Sequence, residues 1–243
     1  MIIDLMQKIN EDNYNMVKET PYVYNNHYVP RVTSILSDML NEPYLLKWSN
    51  SLGFKHKGYV ATLEEAAQKG SYTHDSIENY IQNGIDVNIQ ELPVQYRTAV
   101  DNAYSSFKLW WDVIRKNEIE VIYQEKQLVC EWFGGTLDIL IKINGKIYLF
   151  DFKTSNQPSY KYFIQLAAYR HMLKELYGIE LDGCGIIMLD KNEVHFNEIL
   201  VDLSDKSDSI YMDNCKETFL SLVYSYYNRL RAELEFKEII KRV

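Results

Sequence analysis

Residues 135–153 read Gly135-Thr136-Leu137-Asp138-Ile139-Leu140-Ile141-Lys142-Ile143-Asn144-Gly145-Lys146-Ile147-Tyr148-Leu149-Phe150-Asp151-Phe152-Lys153. Asn-Gly between two apolar runs is the strongest short-range signal for a two-residue β-hairpin, because both turn positions need positive φ. That turn pairs Ile143 with Lys146. Carried back along both strands, the same register sets Asp138 opposite Asp151 and Thr136 opposite Lys153. Opposed residues share a face with Cβ atoms about 4.5–5.5 Å apart. Asp151 and Lys153 are two apart on one strand, so they share that face as well.

Two carboxylates about 5 Å apart repel by roughly 3 kcal/mol at an effective dielectric near 20. Their neighbours are Ile, Leu and Phe on both sides, the pattern of a buried sheet, where charge is costly. Three things can offset this: a shared proton, a salt bridge to Lys153, or a divalent cation. Hard oxygen ligands suit Mg²⁺ or Mn²⁺. A metal beside a lysine two residues on is a hydrolytic arrangement, the metal activating water and the lysine orienting or deprotonating that water or steadying the charge that develops on phosphate.

Working outward, Glu118–Cys130 reads as a strand ahead of the hairpin. Gly185–Asp190 and Glu193–Val201 form a later strand pair. Thr62 and Glu65 have capping-box spacing for a helix running to Asn83, with Gly84 past its end. Pro93–Asn117 is a second helical pattern with Val100, Tyr104, Phe107 and Trp111 on one stripe. Ser159 caps a helix that ends before Gly178, and a long amphipathic helix covers Ser204–Lys237. Thr33–Leu52 suggests two short helices broken near Pro43, and residues 1–30 an irregular arm. The expected fold is one α/β domain, a central mixed β-sheet flanked by helices with a helical N-terminal section. Its parts are an N-terminal arm and lead-in (1–60), a catalytic core (61–201) and a C-terminal helix (202–243).

The chain has 243 residues, with 26 Lys and Arg against 34 Asp and Glu, a net charge of −8. This argues against a protein that coats nucleic acid with a basic surface, but not against a local basic track. The longest apolar runs are a few residues, far short of the ~18 a membrane span needs. No secretory signal pattern opens the sequence, so a cytoplasmic location in a bacterial or phage-infected cell is expected. Three widely spaced cysteines, Cys130, Cys184 and Cys215, form no Cys-x-x-Cys pair, which disfavours a zinc ribbon or an iron–sulfur cluster.

Four stretches in order resemble the PD-(D/E)XK nuclease superfamily and, within it, the RecB-like exonuclease group, which includes the mitochondrial genome maintenance exonuclease and phage relatives. They are Gly70…His74…Glu78 (G-x-x-x-H-x-x-x-E), Gly135…Asp138 (G-x-x-D), Asp151-Phe152-Lys153-Thr154 (D-x-K-T) and Gln165…Tyr169 (Q-x-x-x-Y). Val29–Leu36 resembles a segment that precedes the helix in some members, so the likeness spans about residues 29–200. The resemblance implies a restriction-endonuclease-like core. It implies that Asp138, Asp151 and Lys153 are catalytic, and that His74, Asp138, Asp151 and the Phe152 carbonyl hold Mg²⁺ or Mn²⁺. Thr154, Ser155, Gln165 and Tyr169 would contact DNA or position the lysine. Glu78 and Glu125 are candidates for a second metal or a supporting role, with solvated surface as the plain alternative. Iron–sulfur members of the group carry clustered cysteines that this chain lacks, and a helicase loop is absent too, so any motor or recombinase would be a separate partner.

The function expected is metal-dependent hydrolysis of DNA, as an exonuclease on single-stranded ends in replication, recombination or repair. A structure-specific endonuclease and a non-catalytic DNA-binding accessory protein with the same fold are the alternatives. Lys55, His56, Lys57 and Lys161, with tyrosines nearby, would line a track for the strand.

Overall fold

The structure is a computed structural model that describes residues 22–40 and 58–241. In chain order its elements are β1 (Val23–Tyr24), β2 (His27–Tyr28), α1 (Val32–Met39), α2 (Tyr59–Asn83), α3 (Arg97–Ile114), β3 (Ile119–Val129), β4 (Gly134–Ile143), β5 (Lys146–Lys153), α4 (Tyr160–Tyr177), β6 (Gly183–Leu189), β7 (Phe196–Asp202) and α5 (Lys206–Ile240). The expected helix break near Pro43, the first 21 residues of the arm and the Lys55–Lys57 track lie outside the described residues.

The hairpin forms as its turn dictates. Asn144 and Gly145 have φ of 50° and 84°, the left-handed values a two-residue turn needs. The sheet order is β3-β4-β5-β6-β7. Neighbouring strands are antiparallel except β5 and β6, which run parallel and are joined through α4. The result is an α/β architecture, a five-stranded mixed sheet flanked by helices, consistent with the restriction-endonuclease-like core that the motifs imply.

Strand β6 shows why both faces must be covered. Every residue from Gly183 to Leu189 is buried, as expected of a strand with helices on both sides. Cys184, Ile186 and Met188 pack with α4, α5 and α1. Ile187 and Leu189 pack instead with α3 and with Ile77 of α2, in a cluster built on Tyr104, Phe107, Trp110 and Trp111. The stripe read from the α3 sequence is buried as expected.

Two helix starts differ from expectation. Helix α2 begins at Tyr59, so Thr62 lies inside its first turn and its hydroxyl donates to the Gly58 carbonyl at 2.8 Å instead of capping. Helix α3 begins at Arg97, not Pro93. Pro93 instead accepts the Tyr96 N–H in a turn, and the Arg97 side chain donates back to the Leu92 carbonyl. Ser159 does cap α4, accepting from the Lys161 N–H, and Gly178 closes it with φ of 66°. Among the described residues, no helix is long and apolar enough to cross a membrane.

Candidate active site

The β4–β5 ladder keeps the expected register from Ile143–Lys146 back to Ile139–Phe150 and then stops, one step short of the aspartates. Beyond that point the strands part. Asp138 does not face Asp151 across a hydrogen-bonded rung. Its Oδ2 instead accepts the Phe152 N–H at 2.7 Å, replacing the lost backbone partner. The N–H and C=O of one strand residue point to the same edge, so the Phe152 carbonyl faces this gap too. Thr136, expected opposite Lys153, turns its hydroxyl to the Tyr22 hydroxyl at 2.8 Å.

Two more side chains enter the gap. Helix α2 brings His74 Nδ1 to 3.6 Å from Asp138 Oδ2 and 3.8 Å from Glu125 Oε1. Glu125 is delivered by an irregularity of β3. The β3–β4 register shifts between Val121 and Tyr123, and Glu125 itself has φ of 44°. Among the described residues, the other non-glycine residues at positive φ are Asn25, Asn26 and Asn144. Asn tolerates that conformation, whereas for a residue such as Glu it costs about 1–2 kcal/mol. One ligand atom from each of His74, Glu125 and Asp138 lies within 4.8 Å of the others.

Next to this group Asp151 and Lys153 form an ion pair of 2.5 Å, with the carboxylate 2% exposed. The oxygen that meets Lys153 is Asp151 Oδ2, which is fully buried. Gln165 on α4 holds the pair in place. Its Nε2 donates to Asp151 Oδ1 at 3.1 Å and to the Tyr169 hydroxyl at 3.2 Å, while Lys153 Nζ donates to its Oε1 at 3.3 Å. Tyr169 in turn packs its hydroxyl end against Gly135: a Cβ there would sit 2.4 Å from its ring. The glycine of the G-x-x-D motif is thus needed for a close approach.

Burial disfavours charge on both aspartates. It raises Asp138 despite His74 and Lys153, and it pushes Asp151 to about 6 against the pull of Lys153, with Asp138 adding to the rise. Burial also opposes charge on His74, but Asp138 and the Glu125 hydrogen bond outweigh it and raise the imidazole to about 9. Lys153 is likewise opposed by burial and raised by Asp151 and Asp138.

The remaining sequence candidates fall at graded distances from this centre. Thr154 follows Lys153 and faces Gly70 of α2. The Ser155 hydroxyl donates to the Gln157 carbonyl and accepts from the Tyr162 hydroxyl. Glu78 lies one turn beyond His74, accepts from Gln82 Nε2 at 2.9 Å, and is not among the grouped ligand atoms. Lys161 donates to the Leu40 carbonyl at 2.7 Å. Tyr162 escaped the sequence reading: the Lys153 ammonium lies 5.1 Å from its ring centroid. It falls three residues before Gln165 on the same helix, the only signal that pointed to it.

The donor set fits a hard divalent cation: an imidazole nitrogen, carboxylates and a strand carbonyl facing the gap. No family model and no curated protein matches the chain. Solved structures do match. One is the protein SSO0001, 13% identical, covering 90% of this chain and 85% of that one at a TM-score of 0.33. Another is a phage-related exonuclease from Haemophilus somnus, 13% identical, covering 86% of this chain and 97% of that one at a TM-score of 0.39. Both are distant likenesses, and the chemistry of this chain rests on its own side chains.

Proposed function

We propose that the chain is a divalent-metal-dependent deoxyribonuclease, an exonuclease that hydrolyses phosphodiester bonds at single-stranded ends. The observation that carries this reading is the convergence of His74, Glu125 and Asp138 beside a buried Asp151–Lys153 pair. Preference for DNA and for single strands comes from the motif resemblance.

His74, Asp138, Asp151 and the Phe152 carbonyl would hold Mg²⁺ or Mn²⁺, with Glu125 close enough to join them. A cation bound there lowers the pKa of a coordinated water and offsets phosphate charge. Lys153 stays protonated at neutral pH and presents an ammonium to a phosphate oxygen, where it stabilises charge that grows as the bond breaks. Gln165 fixes the direction of both Asp151 and Lys153, and Tyr169 fixes Gln165. The aromatic layer of Phe152, Phe107 and Trp110 behind the strand keeps water from the rear of the site.

The test is digestion of an end-labelled single strand in Mg²⁺ or Mn²⁺ by the parent chain, Asp151→Asn and Lys153→Ala. Each variant should lose at least about 10²-fold in rate while remaining folded by circular dichroism. Parent-like cutting by both would sink the assignment. Nicking of a circular single strand would replace the exonuclease reading with an endonuclease one. Failure of the parent to cut any nucleic acid would favour a non-catalytic binding role.

A further inference from the structure

Just past Lys153 the chain leaves β5 and, with the β6–β7 loop, encloses a cavity of about 330 Å³. Thr154, Ser155 and Asn156 line one side, and Lys191, His195 and Asn197 the other. Asp190 and Asn192 line it as well, and Pro158 with the edges of Met188 and Leu189 supplies its apolar part. A small apolar floor with a few convergent polar groups is the usual form of a ligand site.

The β6–β7 loop is set before any ligand arrives. The Asp190 N–H donates to the His195 carbonyl at 3.0 Å, and the His195 N–H donates to the Ser106 hydroxyl at 2.9 Å. Asn102 Nδ2 donates to the Lys191 carbonyl at 3.0 Å, tying the loop to α3. Asp190 accepts the Asn192 N–H and side-chain amide on Oδ1, so this carboxylate braces the loop. Among the described residues Lys191 makes no ion pair. Its burial, and then the like charge of Lys69, disfavour the ammonium, against the pull of Asp190 beside it. A phosphate oxygen in the cavity would add to that pull.

We propose that this cavity is a nucleotide subsite, which takes the nucleotide adjoining the scissile phosphate. Lys191 meets its phosphate, the Asn156 and Asn197 amides meet its polar edges, and its base or sugar lies against Pro158. The proposal rests on the nuclease reading, because Thr154 joins the cavity directly to Lys153.

The test measures anisotropy of a labelled ten-nucleotide DNA single strand without divalent metal, across a salt series, for the parent, Lys191→Gln and Asn197→Trp. Loss of one phosphate contact should flatten the log–log salt slope by about 0.7, equal to about fivefold weaker binding at 0.1 M salt. Asn197→Trp narrows the cavity from an exposed position. It should weaken binding at least as much, with an unchanged melting temperature and an unchanged salt slope. In Mn²⁺, Lys191→Gln should raise KM more than it lowers kcat. Parent-like affinity and slope in Lys191→Gln would overturn the subsite, and so would parent-like affinity in Asn197→Trp. If the parent itself neither binds nor cuts DNA, the nuclease reading falls along with the subsite. If the parent cuts normally and both variants bind as it does, the subsite alone falls.

Discussion

Gly135→Ala tests how the site is held together without touching any group that meets the substrate. A Cβ at this position would lie 2.4 Å from Tyr169 Cε1, 2.9 Å from its hydroxyl and 3.0 Å from Cζ. Ordinary contact needs about 1 Å more than the shortest of these, so the ring must retreat by about that much. It has little room, since Tyr169 is 2% exposed and packs in the α4–α5 core. Overpacking of this kind costs about 1–3 kcal/mol. A central value of about 2 kcal/mol lowers Tm by roughly 4–8 °C in a chain of this size. The retreat also draws the Tyr169 hydroxyl away from Gln165, which orients Asp151 and Lys153. Misplacement of reacting groups by about 1 Å costs about 10²-fold in rate.

The assay pairs thermal unfolding with single-turnover cleavage for Gly135→Ala, Tyr169→Leu and the double variant. Removal of the ring takes away the clash, so the double variant should be more stable than the summed single effects by at least ~1 kcal/mol. If Gly135→Ala melts within about 1 °C of the parent and cuts at the parent rate, the proposed chain of contacts from Gly135 to Lys153 is wrong.

Three further outcomes follow from the same geometry. Glu125→Gly should relieve the left-handed backbone and stabilise the metal-free protein by about 1 kcal/mol, yet weaken Mn²⁺ binding at least about tenfold; thermal melts with and without Mn²⁺ read both, and a variant unchanged in each would remove Glu125 from the site. Metal uptake should release protons. His74 is raised to about 9, so between pH 6 and 9 about one proton leaves per ion and affinity climbs with pH. Below about 6 Asp151 contributes a second, and calorimetry in buffers of differing ionisation enthalpy counts them; pH-independent binding would contradict the cluster. Gln165→Leu should cost about 1–3 kcal/mol through the unmatched Asp151 oxygen and Tyr169 hydroxyl. It should lower kcat with little change in KM, and a pure KM effect would place Gln165 on the substrate instead.

Much of this was legible before any coordinates, and for local reasons. Asn144-Gly145 set the hairpin register, because only a turn with two positive φ values fits between those runs. Period-two spacing put Asp151 and Lys153 on one face, and period-four spacing did the same for Gln165 and Tyr169. Gly84 and Gly178 marked two helix ends because a left-handed cap favours glycine. The starts of α2 and α3 were less legible, since each depends on a first-turn contact that competes with a neighbouring residue.

What the sequence by itself determined, then, was the hairpin and the residues able to do chemistry on it. Only the tertiary structure decided which of them meet. Glu78 shares a helix face with His74 yet pairs with Gln82, while Glu125, on another strand, reaches His74. The ladder ends before Asp138 and Asp151 pair, because Asp138 takes the Phe152 N–H. Gly135 proved to be the seat of Tyr169. Chain periodicity reports which residues share a face. Where α2 and α4 cross that face, and where a strand bulges to meet them, is settled by packing between residues distant in the chain, and no local pattern encodes it.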